Sequence, residues 1–289
     1  MNLFALHLAN GNAFFAGMGM VVVALVLRLW FKGRIPGLAL RITYIAGIIF
    51  VLFSATPLSL WCYGLWFSFC VMAALVVFTD QASSWSSFRW KSLAVVAVSL
   101  FSLGLCLLEL PYHLSPTITV SPNQPVFVIG DSISAGISAK ERAWPDVLGS
   151  ISHLQVINLA KPGATVETAL GQSAGITGNP SLILVEIGGN DLLGRTDSKT
   201  FFIQLDKLLG KLSSGGNRIA MFELPLFPFC NAFGKAQRNL AQKYNVTLIP
   251  KHYLTDVFAL KDGTLDGLHL SQRGHDALAN SIYGLLKIN

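Results

Sequence analysis

Val126-Phe127-Val128-Ile129-Gly130-Asp131-Ser132 is the stretch on which the reading of the fold turns. Three β-branched residues and a phenylalanine suit a short buried strand, and Gly-Asp-Ser closes it with turn-forming residues. Four similar runs follow, at residues 154–157, 182–187, 218–222 and 246–249. Between and after them, amphipathic stretches near 143–151, 164–174, 198–213, 231–244 and 272–287 read as helices. This alternation predicts one α/β domain over residues 126–289, with a five-stranded parallel sheet covered on both faces. Its site is expected at the carboxyl ends of the strands.

Those ends carry polar residues in four blocks. The first run meets Gly130-Asp131-Ser132, the second meets Asn158-Leu159-Ala160-Lys161-Pro162-Gly163, and the third meets Gly188-Gly189-Asn190-Asp191. Asp266-Gly267-Leu268-His269 follows near the C-terminus. Asp131 is expected to cap or brace its turn, and Asp191 to tie its loop to backbone amides. Glu186 lies inside a buried strand and calls for a partner that the sequence does not name.

In order and spacing, the four blocks resemble the SGNH (GDSL) family of serine hydrolases, most closely its bacterial thioesterase/lysophospholipase and arylesterase-like branch. The resemblance covers residues 126–289. It implies an SGNH (flavodoxin-like) three-layer fold and a carboxylic ester hydrolase that needs no cofactor. Ser132 is then the nucleophile, His269 the base and later the acid, and Asp266 the group that orients the imidazole. The oxyanion hole implied by the family pattern is the backbone N–H of Ser132, the backbone N–H of Gly163 and the side-chain amide of Asn190.

Rival assignments are weaker. Gly171-Gln172-Ser173-Ala174-Gly175 fits the nucleophile elbow of another hydrolase fold, but a helical stretch rather than a strand precedes it. His275 lies in the start of the final helix, and His153 and His252 lack an acidic neighbour placed as Asp266 is for His269. The four cysteines and six histidines form no set at metal-ligand spacing, so no metal is expected.

The N-terminal part has a different character. The chain is 52% hydrophobic and 12% charged, too oily for a wholly soluble protein of 289 residues. Residues 1–27, 42–79 and 92–108 contain no Asp, Glu, Lys or Arg. About 20 apolar residues cross a bilayer, so the middle block holds two spans joined by a turn at Pro57. Four transmembrane helices are therefore expected near 10–31, 39–56, 58–79 and 92–110. The expected domains are a four-helix transmembrane region (1–110), an extended linker with four prolines (111–125) and the hydrolase domain (126–289).

Residues 1–110 hold six Lys/Arg against two acids, and residues 111–289 hold fifteen against thirteen. The net +6 is therefore no nucleic-acid footprint. Arg28, Lys32, Arg34 and Arg41 flank the first connection, while Arg89 and Lys91 flank the third. The positive-inside rule puts both connections in the cytoplasm. The N-terminus and the catalytic domain are then extracytoplasmic (periplasmic), in a multi-pass protein of a bacterial inner membrane. The helices serve either as an anchor or as part of a lipid-accessible groove.

The expected partners are the bilayer and an acyl ester or thioester, including lipid substrates such as lysophospholipids. Ile133, Phe227, Phe229 and Leu268 are candidates to wall an acyl pocket, and the phenylalanines alternatively pack on the membrane region or in the core. Two further function classes stand beside the hydrolase: a cell-envelope O-acyltransferase or O-acetylesterase acting on polysaccharide or lipid, and a non-catalytic envelope scaffold.

Overall fold

A computed structural model describes residues 3–31, 33–79, 85–138, 140–178, 180–194 and 196–289. Lys32, one of the six residues used to orient the spans, lies outside the described set. Two compact units emerge: residues 7–111 with Phe227–Phe229, and residues 1–6, 112–226 and 230–289.

The first unit is helical, with α2 (Asn12–Trp30), α3 (Gly37–Phe53), α4 (Leu60–Val77) and α5 (Trp85–Glu109) preceded by α1 (Leu3–Ala9), of which it takes the part from His7. The short α1 was not expected. Gly11, in a left-handed conformation at φ 85°, separates it from α2, and the Asn10 side chain accepts from the N–H of Asn12 at 2.9 Å. Among the described residues, three helices are long and apolar enough to cross a membrane, residues 12–30, 60–77 and 88–113, while the apolar α3 has 17 residues. The turn around Pro57 separates α3 from α4, where Ser59 caps α4 by accepting from the Cys62 N–H.

Large apolar side chains point away from this unit on every helix; Leu60 is 87% and Trp61 82% exposed. Water would make such a surface unfavourable, and hydrocarbon would not. Inside, polar links replace hydrophobic driving force, with Tyr44 donating to the Cys70 carbonyl at 2.7 Å and Trp66 Nε1 to Ser102 Oγ at 2.9 Å.

The second unit contains β1 (Ile118–Val120), β2 (Val126–Gly130), α6 (Ser132–Ala135), α7 (Trp144–Ser152), β3 (Val156–Asn158), α8 (Val166–Gln172), β4 (Leu182–Glu186), α9 (Gly189–Leu193) and α10 (Ser198–Ser213). After these come β5 (Arg218–Phe222), α11 (Asn231–Tyr244), β6 (Thr247–Ile249), α12 (His252–Ala259), α13 (Gln272–Tyr283) and β7 (Leu286–Ile288). The main sheet has the order β3-β2-β4-β5-β6 and is parallel throughout. Val126, Val128, Leu182, Leu184, Ala220 and Phe222 share one core with Trp144, Leu148, Leu278 and Ile282 of α7 and α13. The alternate residues Phe127, Ile129, Ile183, Val185 and Met221 are buried on the opposite face.

Two expectations are corrected. Residues 111–125 are not wholly an extended linker, because Ile118–Val120 pairs in parallel with Leu286–Ile288. The last helix correspondingly stops at Tyr283 instead of reaching 287, and its final residues become β7. Ile118 and Val120 are buried by the pairing, a gain that a proline-rich local sequence does not reveal.

Helices α2 and α3 meet through glycine. A Cβ on Gly17 would sit 2.5 Å from the Gly47 carbonyl oxygen, whereas one on Gly19 would meet nothing within 4 Å. Gly17→Leu is therefore expected to lower thermal stability in mild detergent by about 1–3 kcal/mol, the usual cost of overpacking. Gly19→Leu should leave the melting curve in place, and equal effects from the two would show that the close crossing is not a constraint.

Candidate active site

The whole of β2 is buried, and its last residue has no room for a side chain. A Cβ on Gly130 would lie 2.7 Å from Ser134 and 2.8 Å from the Glu186 carbonyl oxygen. The chain turns at Asp131, whose Oδ1 accepts from the Ile133 N–H at 2.9 Å and caps α6. Ser132 opens that short helix and retains 9% of its exposure.

After β3 the chain keeps following β2, since Leu159 N–H donates to the Val128 carbonyl and Lys161 N–H to the Gly130 carbonyl. Asn158 Nδ2 donates to the Ser134 carbonyl at 2.8 Å, fixing this loop to α6. Gly163 follows at φ 73°, a conformation that favours glycine, and Thr165 then starts α8 with a capping box. After β4, Asp191 Oδ2 accepts from the Val166 N–H at 2.9 Å, tying α9 to the start of α8 as expected for that residue.

Asn190 joins the blocks. Its Nδ2 donates to Asp131 Oδ2 at 3.2 Å and to the Ala164 carbonyl at 2.9 Å. Residues next to Ser132 and next to Gly163 are thus held by the amide that the family pattern places in the oxyanion hole.

Asp266 and His269 share a tight loop. Leu265 N–H donates to the His269 carbonyl at 2.8 Å, and Thr264 and Leu270 bridge across the base of the loop. Asp266 Oδ1 accepts from the backbone N–H of Leu268 and of His269 at 3.0 and 2.8 Å. Its Oδ2 lies 2.7 Å from His269 Nδ1. The imidazole contact, followed by the two backbone bonds, holds the Asp266 carboxyl well below the usual carboxylate range. His269 acts electrostatically on Asp131, the residue before Ser132.

The rivals sit elsewhere. Ser173 lies in a 3₁₀ turn at the end of α8 and donates to the Leu170 carbonyl at 2.6 Å. His275 is fully buried, with Nδ1 accepting from the Trp144 N–H at 3.2 Å.

The four candidate pocket residues divide. Ile133 belongs to the buried core and Leu268 is exposed beside His269. Phe227 and Phe229 are exposed and group with the apolar helices, where the Phe229 ring meets Phe53 at 5.1 Å.

A family model described as the GDSL-like lipase/acylhydrolase family matches residues 128–277. The chain belongs to this family. Membership makes it a carboxylic ester hydrolase, with Ser132, Gly163 and Asn190 all inside the matched stretch, as are Asp266 and His269. An arylesterase of Vibrio mimicus is 28% identical over 163 residues, covering 51% of this chain and 80% of that protein. The psychrotrophic esterase EstA from Pseudoalteromonas sp., in a structure inhibited by monoethylphosphonate, aligns with a TM-score of 0.51 at 20% identity. That alignment covers 56% of this chain and 96% of EstA. TesA aligns with a TM-score of 0.50 at 22% identity, over 56% of this chain and 97% of its own. At these identities the two structures establish the shared fold.

What the sequence left open is the partner of Glu186. Burial and then the neighbouring Asp131 charge push its carboxyl well above the usual range, and burial likewise pushes Asp131 up to about 6. A raised folded-state value means that the contribution of Asp131 to stability is present below its unfolded value and is lost as pH rises through about 6. Asp131→Asn should therefore gain thermal stability relative to the unsubstituted chain on passing from about pH 5 to about pH 8. Melting curves of the full chain in detergent measure this, and a difference that does not change with pH would overturn it.

Proposed function

We propose that this member of the family is a membrane-anchored serine esterase that hydrolyses carboxylic ester or thioester bonds on the extracytoplasmic side through a Ser132-His269-Asp266 acyl-enzyme. The observation that carries the reading is the 2.7 Å contact between Asp266 and His269 Nδ1. With Nδ1–H engaged by the carboxylate, the lone pair of Nε2 is the free base.

In this mechanism Ser132 Oγ attacks the acyl carbon as its proton passes to His269 Nε2. The carbonyl oxygen becomes an oxyanion facing the N–H groups of Ser132 and Gly163 and the amide of Asn190, which keeps one N–H on Asp131 and turns the other from the Ala164 carbonyl to the oxyanion. Collapse expels the alcohol or thiol, which takes the proton from His269, and leaves the acyl group on Ser132. Water then attacks through the same base, and the acid departs with Ser132 restored. Asp266 stays ionised throughout and stabilises the imidazolium, a task suited to its lowered pKa.

The acyl contact falls to the neighbourhood of Leu268, an exposed apolar side chain next to the base.

Ser132→Ala should abolish release of p-nitrophenol from acyl esters, by at least roughly 10³-fold, with an unchanged melting curve. A phosphonate ester, of the kind that inhibits EstA, should add to the Ser132 peptide once per chain in mass spectrometry. Retained turnover in the variant, or modification at Ser173 instead, would remove Ser132 as the nucleophile.

The orientation rests on the basic residues gathering at one end of the helical unit. Arg41 donates to the Phe78 carbonyl at 3.0 Å and Lys91 to the Thr79 carbonyl at 3.4 Å, at the opposite end of α4 from Pro57. The positive-inside rule makes this the cytoplasmic end. A Ser121→Cys chain also carrying Cys230→Ser should react with a membrane-impermeant maleimide once the outer membrane is opened. Reaction only after lysis of the inner membrane would reverse the topology.

A further inference from the structure

Below the nucleophile turn lies a buried polar chain that the mechanism above does not use. Trp144 Nε1 donates to Ser134 Oγ at 3.1 Å, and that hydroxyl donates to Glu186 Oε2 at 2.8 Å. The Glu186 carboxyl also receives the backbone N–H of Asp131 and is hydrogen-bonded to the Asp131 carboxyl. Asp131 in turn accepts from the Ile133 N–H through Oδ1 and from the Asn190 amide through Oδ2. Glu186 and Asp131 are each 3% exposed. The β2/β4 register sets Gly130 directly opposite Glu186, which brings the two carboxyl groups together.

We propose that Glu186 is a positioning residue for ester hydrolysis: its carboxyl, hydrogen-bonded to that of Asp131 under the nucleophile turn, holds Asp131 as the acceptor that aims the Asn190 amide. The inference rests on the oxyanion role proposed above for Asn190.

Two carboxyl groups can share a hydrogen bond only if one of them carries a proton. Glu186 is the more deeply buried and faces only Asp131 and the Ser134 hydroxyl, so the proton resides there. Asp131 keeps the charge, because the Ile133 N–H and the hydrogen bond from Glu186 both stabilise its ionised form. A charged Asp131 accepts strongly from an amide N–H, and that bond limits how the Asn190 side chain can rotate. An oxyanion donor is effective only when it is fixed before the reaction, so freedom at Asn190 would cost transition-state stabilisation and leave substrate binding largely alone.

The test is a double-mutant cycle on the full chain in detergent, with phosphonate titration counting the active sites so that misfolded protein does not enter kcat. Glu186→Met keeps the bulk and removes the hydrogen bond, and should lower kcat about 10-fold or more with KM within about twofold. Glu186→Gln, whose amide can donate to Asp131 and whose carbonyl can accept from Ser134, should recover most of that loss. In an Asn190→Ala background, Glu186→Met should lower kcat by less than about twofold, because the group it aims is gone. Effects that multiply in the double variant, or a Gln variant as impaired as the Met variant, would overturn the proposal. Should Met at 186 prevent folding, Asp131→Ala removes the same acceptor from the other end and enters the same cycle with the same expectation. Turnover that survives Ser132→Ala would instead defeat the serine mechanism, so the two failures are told apart.

Discussion

Asn190 can bridge Asp131 and Ala164 only because β2, β3 and β4 are neighbours that run the same way. In a parallel sheet all carboxyl ends emerge on one edge, so loops far apart in sequence meet there without any contact arranged between them beforehand. With β2 between β3 and β4, the turn at Asp131 lies between the loop carrying Gly163 and the loop carrying Asn190. The amide spans that space with two hydrogen bonds. Strand order therefore decides the site before any catalytic side chain is considered, and substitutions that disturb β2 or β4 act on it through the backbone.

The five central strands were legible because both faces of the sheet are buried, which leaves continuous apolar runs bounded by turn residues. α10 and α11 were legible from their amphipathic pattern, at the residues the helices occupy. The β1/β7 pair was not, because each strand has three residues and is stabilised by a partner at the other end of the domain. The short α9 and α12 escaped for a related reason, being too brief to show a period. At the candidate site, residue types and order pointed to Asp131 and Asn190, and to Asp266 and His269, which the structure joins by hydrogen bonds. The partner of Glu186 depends on strand register, which local pattern does not encode.

The helical unit obeys different physics. Its helices are apolar all round, so no amphipathic stripe shows which faces meet. Gly17 and Gly47 mark the crossing of α2 and α3 by the backbone approach they allow, and Ser102 and Cys70 mark others through hydrogen bonds. Length and cleared charge sufficed to place these helices in sequence, while their packing required coordinates.

The two carboxyl pairings of the hydrolase domain are built in opposite ways, and each suits a different task. Asp266 is half exposed and receives two backbone N–H groups as well as the imidazole, so its charge is stabilised, as the orienting role proposed for it requires. Glu186 is buried with a single hydroxyl, one amide and a neighbouring carboxylate, an environment that favours the neutral acid. A neutral acid donates a hydrogen bond without adding negative charge close to where an oxyanion must form. Burial of Glu186 therefore suits the positioning role proposed for it, and the proton it retains leaves Asp131 as the single charge of the pair, balanced by the Ile133 N–H and the Asn190 amide.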